Sequence, residues 1–312
     1  MSKIKKGNAE NLKNVGKQIE IIMENLFCNE CNLSRQIPYF IAEELLGVEN
    51  LSLLKERYHQ MKDGYNLTYL EWRNIFTNKL KPFCEYWNDT TAVTMPIKHK
   101  LFKQDFERIG KGSIGLDLPT WFNIKEYKPR IMLIFQDPLR GKCYHDCKDA
   151  VLSSPFGLHD ATHRSRANGG KMANELVRRL TNNGYGVYLT DACKYFIGDH
   201  HTSDAYSLVF KKTYTDILAK EISIVKPNLC VCFGDRANSI MYDVGPCIMY
   251  DVAPEDPELL LITSIKLPHL SGTARGAIKN HFKILDKIGG ATADNIAEVY
   301  AKEIISHIEL LK

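Results

Sequence analysis

Asp137, Asp191 and His269 are the residues of this 312-residue chain best placed for acid, base or electrostatic chemistry. Each lies at or just beyond a short apolar run: Ile131-Met-Leu-Ile-Phe135, Val187-Tyr-Leu-Thr190 and Leu259-Leu-Leu-Ile-Thr-Ser-Ile265. A fourth run, Leu229-Cys-Val-Cys-Phe233, leads into Gly234-Asp235-Arg236. Runs this short and rich in strand formers read as buried strands. In open parallel α/β sheets, ligands collect beyond the carboxyl ends of the strands, where loops and helix N-termini converge. Two carboxylates and a histidine are therefore expected on one edge. Asp137 sits in Gln136-Asp137-Pro138, where proline stiffens both itself and the residue before it. Asp-Pro more often just opens a turn, and a lone histidine is more often a core residue bonded to backbone. Their convergence with Asp191 is what favours chemistry.

The elements that must position these residues follow from periodicity. Leu12, Val15, Ile19, Ile22 and Leu26 recur at three- and four-residue steps, as do Ile41, Leu45 and Leu46, and then Leu67, Leu70, Ile75, Phe76 and Leu80. Residues 1–95 are therefore predicted to be helical. Periodicity fades among Pro96, Gly110, Gly112, Gly115 and Pro119, which makes 96–128 an irregular connection. In 129–312 the four strands alternate with helices predicted at Gly170–Asn182, Asp204–Val225 and Asp235–Tyr242, and two more come after them at Ala277–Ile288 and through Ile296, Tyr300, Ile304, Ile308 and Leu311. Strands separated by helices imply a three-layer α/β/α domain with a short, mainly parallel four-stranded sheet, preceded by a helical region.

Composition narrows the class. With 44% hydrophobic and 25% charged residues the chain can bury a core, and no apolar run approaches the roughly 20 residues that span a bilayer. The basic start, Met-Ser-Lys-Ile-Lys-Lys, has no signal-peptide core after it, so no membrane association and a cytoplasmic location are expected. Nine cysteines, with Cys230 and Cys232 in a core strand, suggest reduced thiols rather than a disulfide framework. A net charge of +4 is compatible with a polyanion but does not argue for one.

Phe135-Gln-Asp-Pro138 resembles the Gly-Gln-Asp-Pro-Tyr-His motif of uracil-DNA glycosylases, and the likeness continues in order along the chain. Ser154-Pro-Phe-Gly157 is similar to the segment with that family's base-stacking Phe. Val187-Tyr-Leu-Thr-Asp191 is similar to the strand ending in its base-reading Asn, and Lys226-Pro-Asn-Leu-Cys-Val-Cys-Phe-Gly-Asp-Arg-Ala237 to its Pro-to-Gly-to-Ala element. His269-Leu-Ser271 resembles its His-Pro-Ser-Pro-Leu-Ser loop, and Arg275-Gly276 and His281-Phe282 resemble the Arg-Gly and His-Phe pairs beyond that loop. Five short motifs in order, over roughly residues 129 to 288, are more specific than any one.

The resemblance implies a DNA glycosylase that hydrolyses the bond between deoxyribose and uracil or a related deaminated base, on single- or double-stranded DNA and without a cofactor. Asp137 would stabilise the oxocarbenium-like sugar and position water, and neutral His269 would donate to the departing base. Phe156 would stack on the flipped base, and Gln136, Leu139 and Asp191 complete the base-binding set. Ser154, Leu270, Ser271 and Arg275 would meet DNA, with Leu270 the candidate wedge and Lys279 adding charge. Three departures stand out: Asp191 in place of Asn, Leu139-Arg140 in place of Tyr-His, and a final loop two residues shorter with Leu270 and Gly272 in place of proline. An ionised Asp only accepts hydrogen bonds and suits cytosine's amino group, whereas a protonated Asp can serve uracil. A noncatalytic nucleic-acid-binding relative is the alternative. An unrelated nucleotide-binding protein would need a Gly-rich phosphate loop, which Gln136-Asp-Pro-Leu-Arg140 is not. No metal is expected, because Cys28-Asn-Glu-Cys31, Cys143-Tyr-His-Asp-Cys147 and His200-His201 each lack a second half at ligand spacing.

Overall fold

The computed structural model describes residues 31–66, 93–95, 114–138, 150–165, 168–197, 204–247 and 262–311. In chain order the elements are α1 (Leu33–Ile41), α2 (Leu51–Asn66), β1 (Val93–Met95), β2 (Ile114–Asp117), β3 (Thr120–Phe122), β4 (Arg130–Phe135) and β5 (Ala150–Ser153). Then come α3 (Ala161–Ser165), α4 (Asn168–Asn182), β6 (Gly186–Asp191), β7 (Tyr195–Ile197), α5 (Asp204–Val225), β8 (Leu229–Phe233), α6 (Asp235–Cys247), β9 (Thr263–Leu267), α7 (Arg275–His281) and α8 (Ala293–Glu309).

The four expected strands form a parallel sheet in the order β6-β4-β8-β9, and a fifth, β3, adds antiparallel at the β6 edge. β4 and β8 are buried on both faces, which accounts for their unbroken apolar runs. The chain leaves β4 for β6 on one side, then returns past β4 to β8 and β9. Right-handed crossovers therefore put α4 on one face and α5 and α6 on the other. The result is a three-layer α/β/α fold. The reversal falls between β4 and β8, where open α/β sheets form their crevice.

A second sheet, order β1-β5-β2-β7, lies in part within the stretch expected to be an irregular connection. Its strands are three or four residues long. It brings the ends of β2 and β5 together, with Asp117 in register with Ser153 and the Leu118 amide donating to the Ser153 carbonyl at 2.7 Å.

β9 runs later than the sequence predicts, over Thr263–Leu267, and residues 259–261 lie outside the described ones. Its burial alternates because, among the described strands, it lies at the edge of this sheet and pairs with β8 alone. The helix predicted at Ala277–Ile288 is two pieces, α7 and a 3-10 turn at Lys283–Asp286. Between them Phe282 leaves helical geometry and buries its ring 4.8 Å from that of Tyr300. α8 docks through Ile296, Tyr300, Ile304 and Ile308 as expected, while Leu311 lies past its end and is exposed.

The helical region is described from Cys31, so its first predicted series lies outside the described residues, as does the one from Leu67. Ile41, Leu45 and Leu46 are buried. α2 contacts the sheets: the Tyr58 hydroxyl donates to the Pro119 carbonyl at 3.2 Å, and the Tyr65 ring meets Phe122 edge-on at 5.3 Å. No described helix is long and apolar enough to cross a membrane.

Candidate active site

The carboxyl ends of β4 and β6 are tied together by backbone. The Ala192 amide donates to the Phe135 carbonyl at 2.8 Å and that of Cys193 to the Gln136 carbonyl at 2.9 Å. Asp137 and Asp191 thus leave adjacent strands in a fixed relation. Asp137 Oδ1 accepts from Gln136 Nε2 at 3.1 Å, and Oδ2 lies 3.5 Å from an Arg236 guanidinium nitrogen at the start of α6. Arg236 holds a carboxylate at the crevice between β4 and β8.

His269 comes after β9 on the same edge. Burial lowers its pKa below the ordinary 6.5, so at neutral pH it is an uncharged imidazole carrying one N–H donor. Gly234, which turns β8 into α6 at φ +91, lies beside it, since a Cβ there would come within 3.6 Å of His269 Cβ. That φ favours glycine.

Phe156 stands between the two strand ends. Its ring meets Phe135 edge-on at 4.7 Å and lies 6.0 Å from the His269 ring. Its backbone is left-handed, φ 58 and ψ 12, a strained geometry for an aromatic residue that persists only where neighbours enforce it. The neighbours are evident. The Gly157 amide donates to the Ser154 carbonyl at 2.7 Å, and the His159 amide donates to Ser154 Oγ at 3.1 Å, which in turn lies 2.9 Å from His159 Nδ1. Arg164 donates to the Leu158 carbonyl at 2.7 Å and lies 5.6 Å from the Tyr65 ring centre, so the helical region braces this loop. Gly169 closes the other side: a Cβ there would come within 2.9 Å of Phe156 Cε1 and 3.0 Å of the Leu270 carbonyl oxygen. Gly169→Ala is expected to push Phe156 aside and raise KM for a base-containing oligonucleotide several-fold, read from steady-state excision, with the melting temperature changed by only a few degrees.

Asp191 is buried, and its Oδ2 meets no hydrogen-bond donor among the described residues. Burial, reinforced by Asp117 and Asp137 and offset by Lys194, holds its carboxyl well above the usual carboxylate range. In the unfolded chain it ionises near about 3.9, while the fold keeps the proton to higher pH. Between those values the unfolded state binds fewer protons, so this group's contribution is full below the unfolded pKa and is lost as pH rises toward the folded one. Asp191→Asn is therefore expected to melt at a higher temperature than wild type at neutral pH, with the gap closing toward about pH 4. Calorimetry across pH checks this. Burial also pushes the neighbouring Cys193 thiol up to about 12, so it is no nucleophile at neutral pH.

The remaining expected residues sit differently. Ser154 is fully buried with its hydroxyl engaged by His159, and Leu270 is fully buried too. Ser271 caps the 3-10 turn at Gly272–Ala274, accepting from the Ala274 amide at 3.2 Å. Arg275 and Lys279 are exposed. Leu139 lies outside the described residues.

The sequence assigns no role to Asp117, Arg236 or Glu221. Below Asp191, the Lys194 ammonium donates to Glu221 Oε2 at 2.5 Å and Thr190 Oγ1 at 2.7 Å, and the Tyr188 hydroxyl donates to Glu221 Oε1 at 2.6 Å. Both charged side chains are within 1% of complete burial. Lys194 and Arg236 carry a signal in their place at strand ends. Asp117 and Glu221 carry none, as neither sits near its partner in sequence.

Residues 123–288, which include this whole edge from β4 to α7, match the model of the uracil DNA glycosylase superfamily. The chain belongs to that superfamily. At the level of the family this makes it glycosylase-like, among hydrolases that act on DNA. The match covers the parallel sheet and the Phe156 loop and starts beyond the helical region. No curated protein matches the chain.

Proposed function

We propose that the protein is a DNA glycosylase that hydrolyses the N-glycosidic bond of uracil or a related deaminated base, as in base excision repair. The observation that carries this reading is one strand-end edge with Asp137 oriented by Gln136 and Arg236, a neutral His269, and the Phe156 ring beside His269. Departure of a base leaves positive charge on the sugar and negative charge on the base. Asp137, as a carboxylate, stabilises the sugar cation and holds the attacking water on the face opposite the base. His269 donates its N–H to the base as negative charge develops, at no cost in reorganisation because burial has already made it neutral. Phe156 stacks on the base, and Gln136 and Asp191 line its recognition edge. Arg275 and Ser271 lie toward the strand, while Ser154 acts through the loop that it braces. Free thiols at Cys230 and Cys232 accord with a cytoplasmic protein.

Leu270 is buried here, which supports single-stranded DNA as the better substrate, since it needs no wedge to release a base from a stack. The test is a panel of labelled single- and double-stranded oligonucleotides carrying uracil, cytosine or thymine, scored for abasic sites by alkaline cleavage. Cleavage at uracil, faster in single strands, is the expected result. DNA binding with no cleavage at any base would support the noncatalytic relative instead.

A further inference from the structure

Asp117 ends β2 and Asp191 ends β6, so the two sheets of the fold deliver two carboxyls to one place. They are 6% and 4% exposed. The Asp117 carboxyl lies within hydrogen-bonding reach of that of Asp191, and Asp191 Oδ2 meets no donor among the described residues. Two ionised carboxylates have no proton with which to bond each other, so a contact between them in a buried site requires at least one. The groups facing Asp191 do not replace it. Asp137, after β4, repels a second negative charge; Cys193 stays a neutral thiol; and Lys194, the one cation among the charged groups that act on Asp191, is itself bound to Glu221. Tyr65, from α2, lies near enough to Asp117 to feel its charge, and Arg164, from α3, sits over the Tyr65 ring.

We propose that Asp117 and Asp191 share a proton, and that Asp117 thereby determines which base the pocket accepts: one with a carbonyl beside a ring N–H, as in uracil, over one with an amino group. The inference rests on Asp191 as a base contact. A carboxyl that keeps its proton has an O–H beside a carbonyl oxygen, the donor and acceptor pattern of an amide. In the empty pocket the proton bridges to Asp117, and with a base bound it turns to the base carbonyl. Without Asp117's charge, Asp191 ionises more readily, becomes acceptor-only, and repels that carbonyl.

The test uses single-stranded oligonucleotides with one 2′-fluoro-2′-deoxyuridine or 2′-fluoro-2′-deoxycytidine, in which the electron-withdrawing fluorine keeps the base in place. Affinity for each is measured by fluorescence anisotropy from about pH 5 to about pH 8 for the full chain and for Asp117→Asn and Asp191→Asn. The aspartate carboxyls are titrated by carbon NMR alongside. Wild type is expected to prefer the uracil strand, with the Asp191 carboxyl titrating above the ordinary range. Asp117→Asn should titrate lower and bind the uracil strand about tenfold more weakly for each pH unit beyond its midpoint. Asp191→Asn should hold its uracil preference at every pH, since an amide needs no proton. Ionisation of Asp191 throughout the range in wild type would overturn the proposal, even should Asp117→Asn fail to fold. So would a base preference in Asp117→Asn identical to wild type at each pH. Because the fluorinated strands report binding alone, failure to cleave ordinary uracil DNA would count against the glycosylase and leave this inference to its own data.

Discussion

Asp137→Asn is expected to lower single-turnover excision by about 10²–10⁴-fold while leaving DNA affinity within a few-fold of wild type. Asparagine keeps the size and one acceptor oxygen but loses the negative charge that must meet the sugar cation. It loses nothing that holds the strand. The backbone bonds that fix this loop run from Ala192 and Cys193 to Phe135 and Gln136 and do not involve the side chain. The contact with Arg236 is 3.5 Å long, at the outer limit of a hydrogen bond, and asparagine keeps an oxygen that can accept from the guanidinium, so the change costs about 1 kcal/mol. A fall in rate with neither weaker binding nor lower stability separates electrostatic catalysis from a structural role. An equal fall in affinity and rate would instead make Asp137 a binding residue.

The second large effect lies beneath the site. Glu221→Ala leaves the Lys194 ammonium buried with Thr190 Oγ1, at 2.7 Å, as its hydrogen-bond partner, and breaking a buried pair from one side costs about 3–5 kcal/mol. Urea unfolding should show a much lower midpoint at an unchanged slope. Replacing both partners with apolar residues, Lys194→Met with Glu221→Leu, should recover most of the loss, because no unpaired charge remains. The Tyr188 hydroxyl, which donates to Glu221 at 2.6 Å, would still lack its acceptor, and that keeps recovery incomplete. A single variant within about 1 kcal/mol of wild type would show the pair to be solvated rather than buried. Since Lys194 lies three residues beyond Asp191, loosening it is also expected to disturb the base-contacting edge.

How much of this is legible in the sequence depends on the range of the interactions. α5 begins and ends where its apolar spacing predicts, and β8 spans the run from Leu229 to Phe233, because both are long enough for a local pattern to carry the signal. The strand-end positions of Asp137, Asp191 and His269 are legible for the same reason. The second sheet is not. Its strands have three or four residues, too few to set an alternation, and β2 finds its neighbours β5 and β7 far along the chain. Asp117 lies between Leu116 and Leu118 before Pro119 and reads as a turn residue until Asp191 is brought against it. Glu221 reads as the solvated face of a helix until Lys194 arrives beneath β6. Ser154 and Leu270 are picked out by motif position, which carries no information on burial.

The activity proposed for this edge is the cutting of a base from its sugar. Its most direct measurement is the release of free base: a single-stranded oligonucleotide with one uracil is incubated with excess protein, and free uracil and abasic strand are quantified by chromatography. The mechanism drawn from Asp137, His269 and Phe156 predicts uracil and abasic strand in equal amounts from wild type, and neither from Asp137→Asn over the same time. Intact strand recovered from a stable complex with the wild-type protein, or equal release by Asp137→Asn, would contradict it.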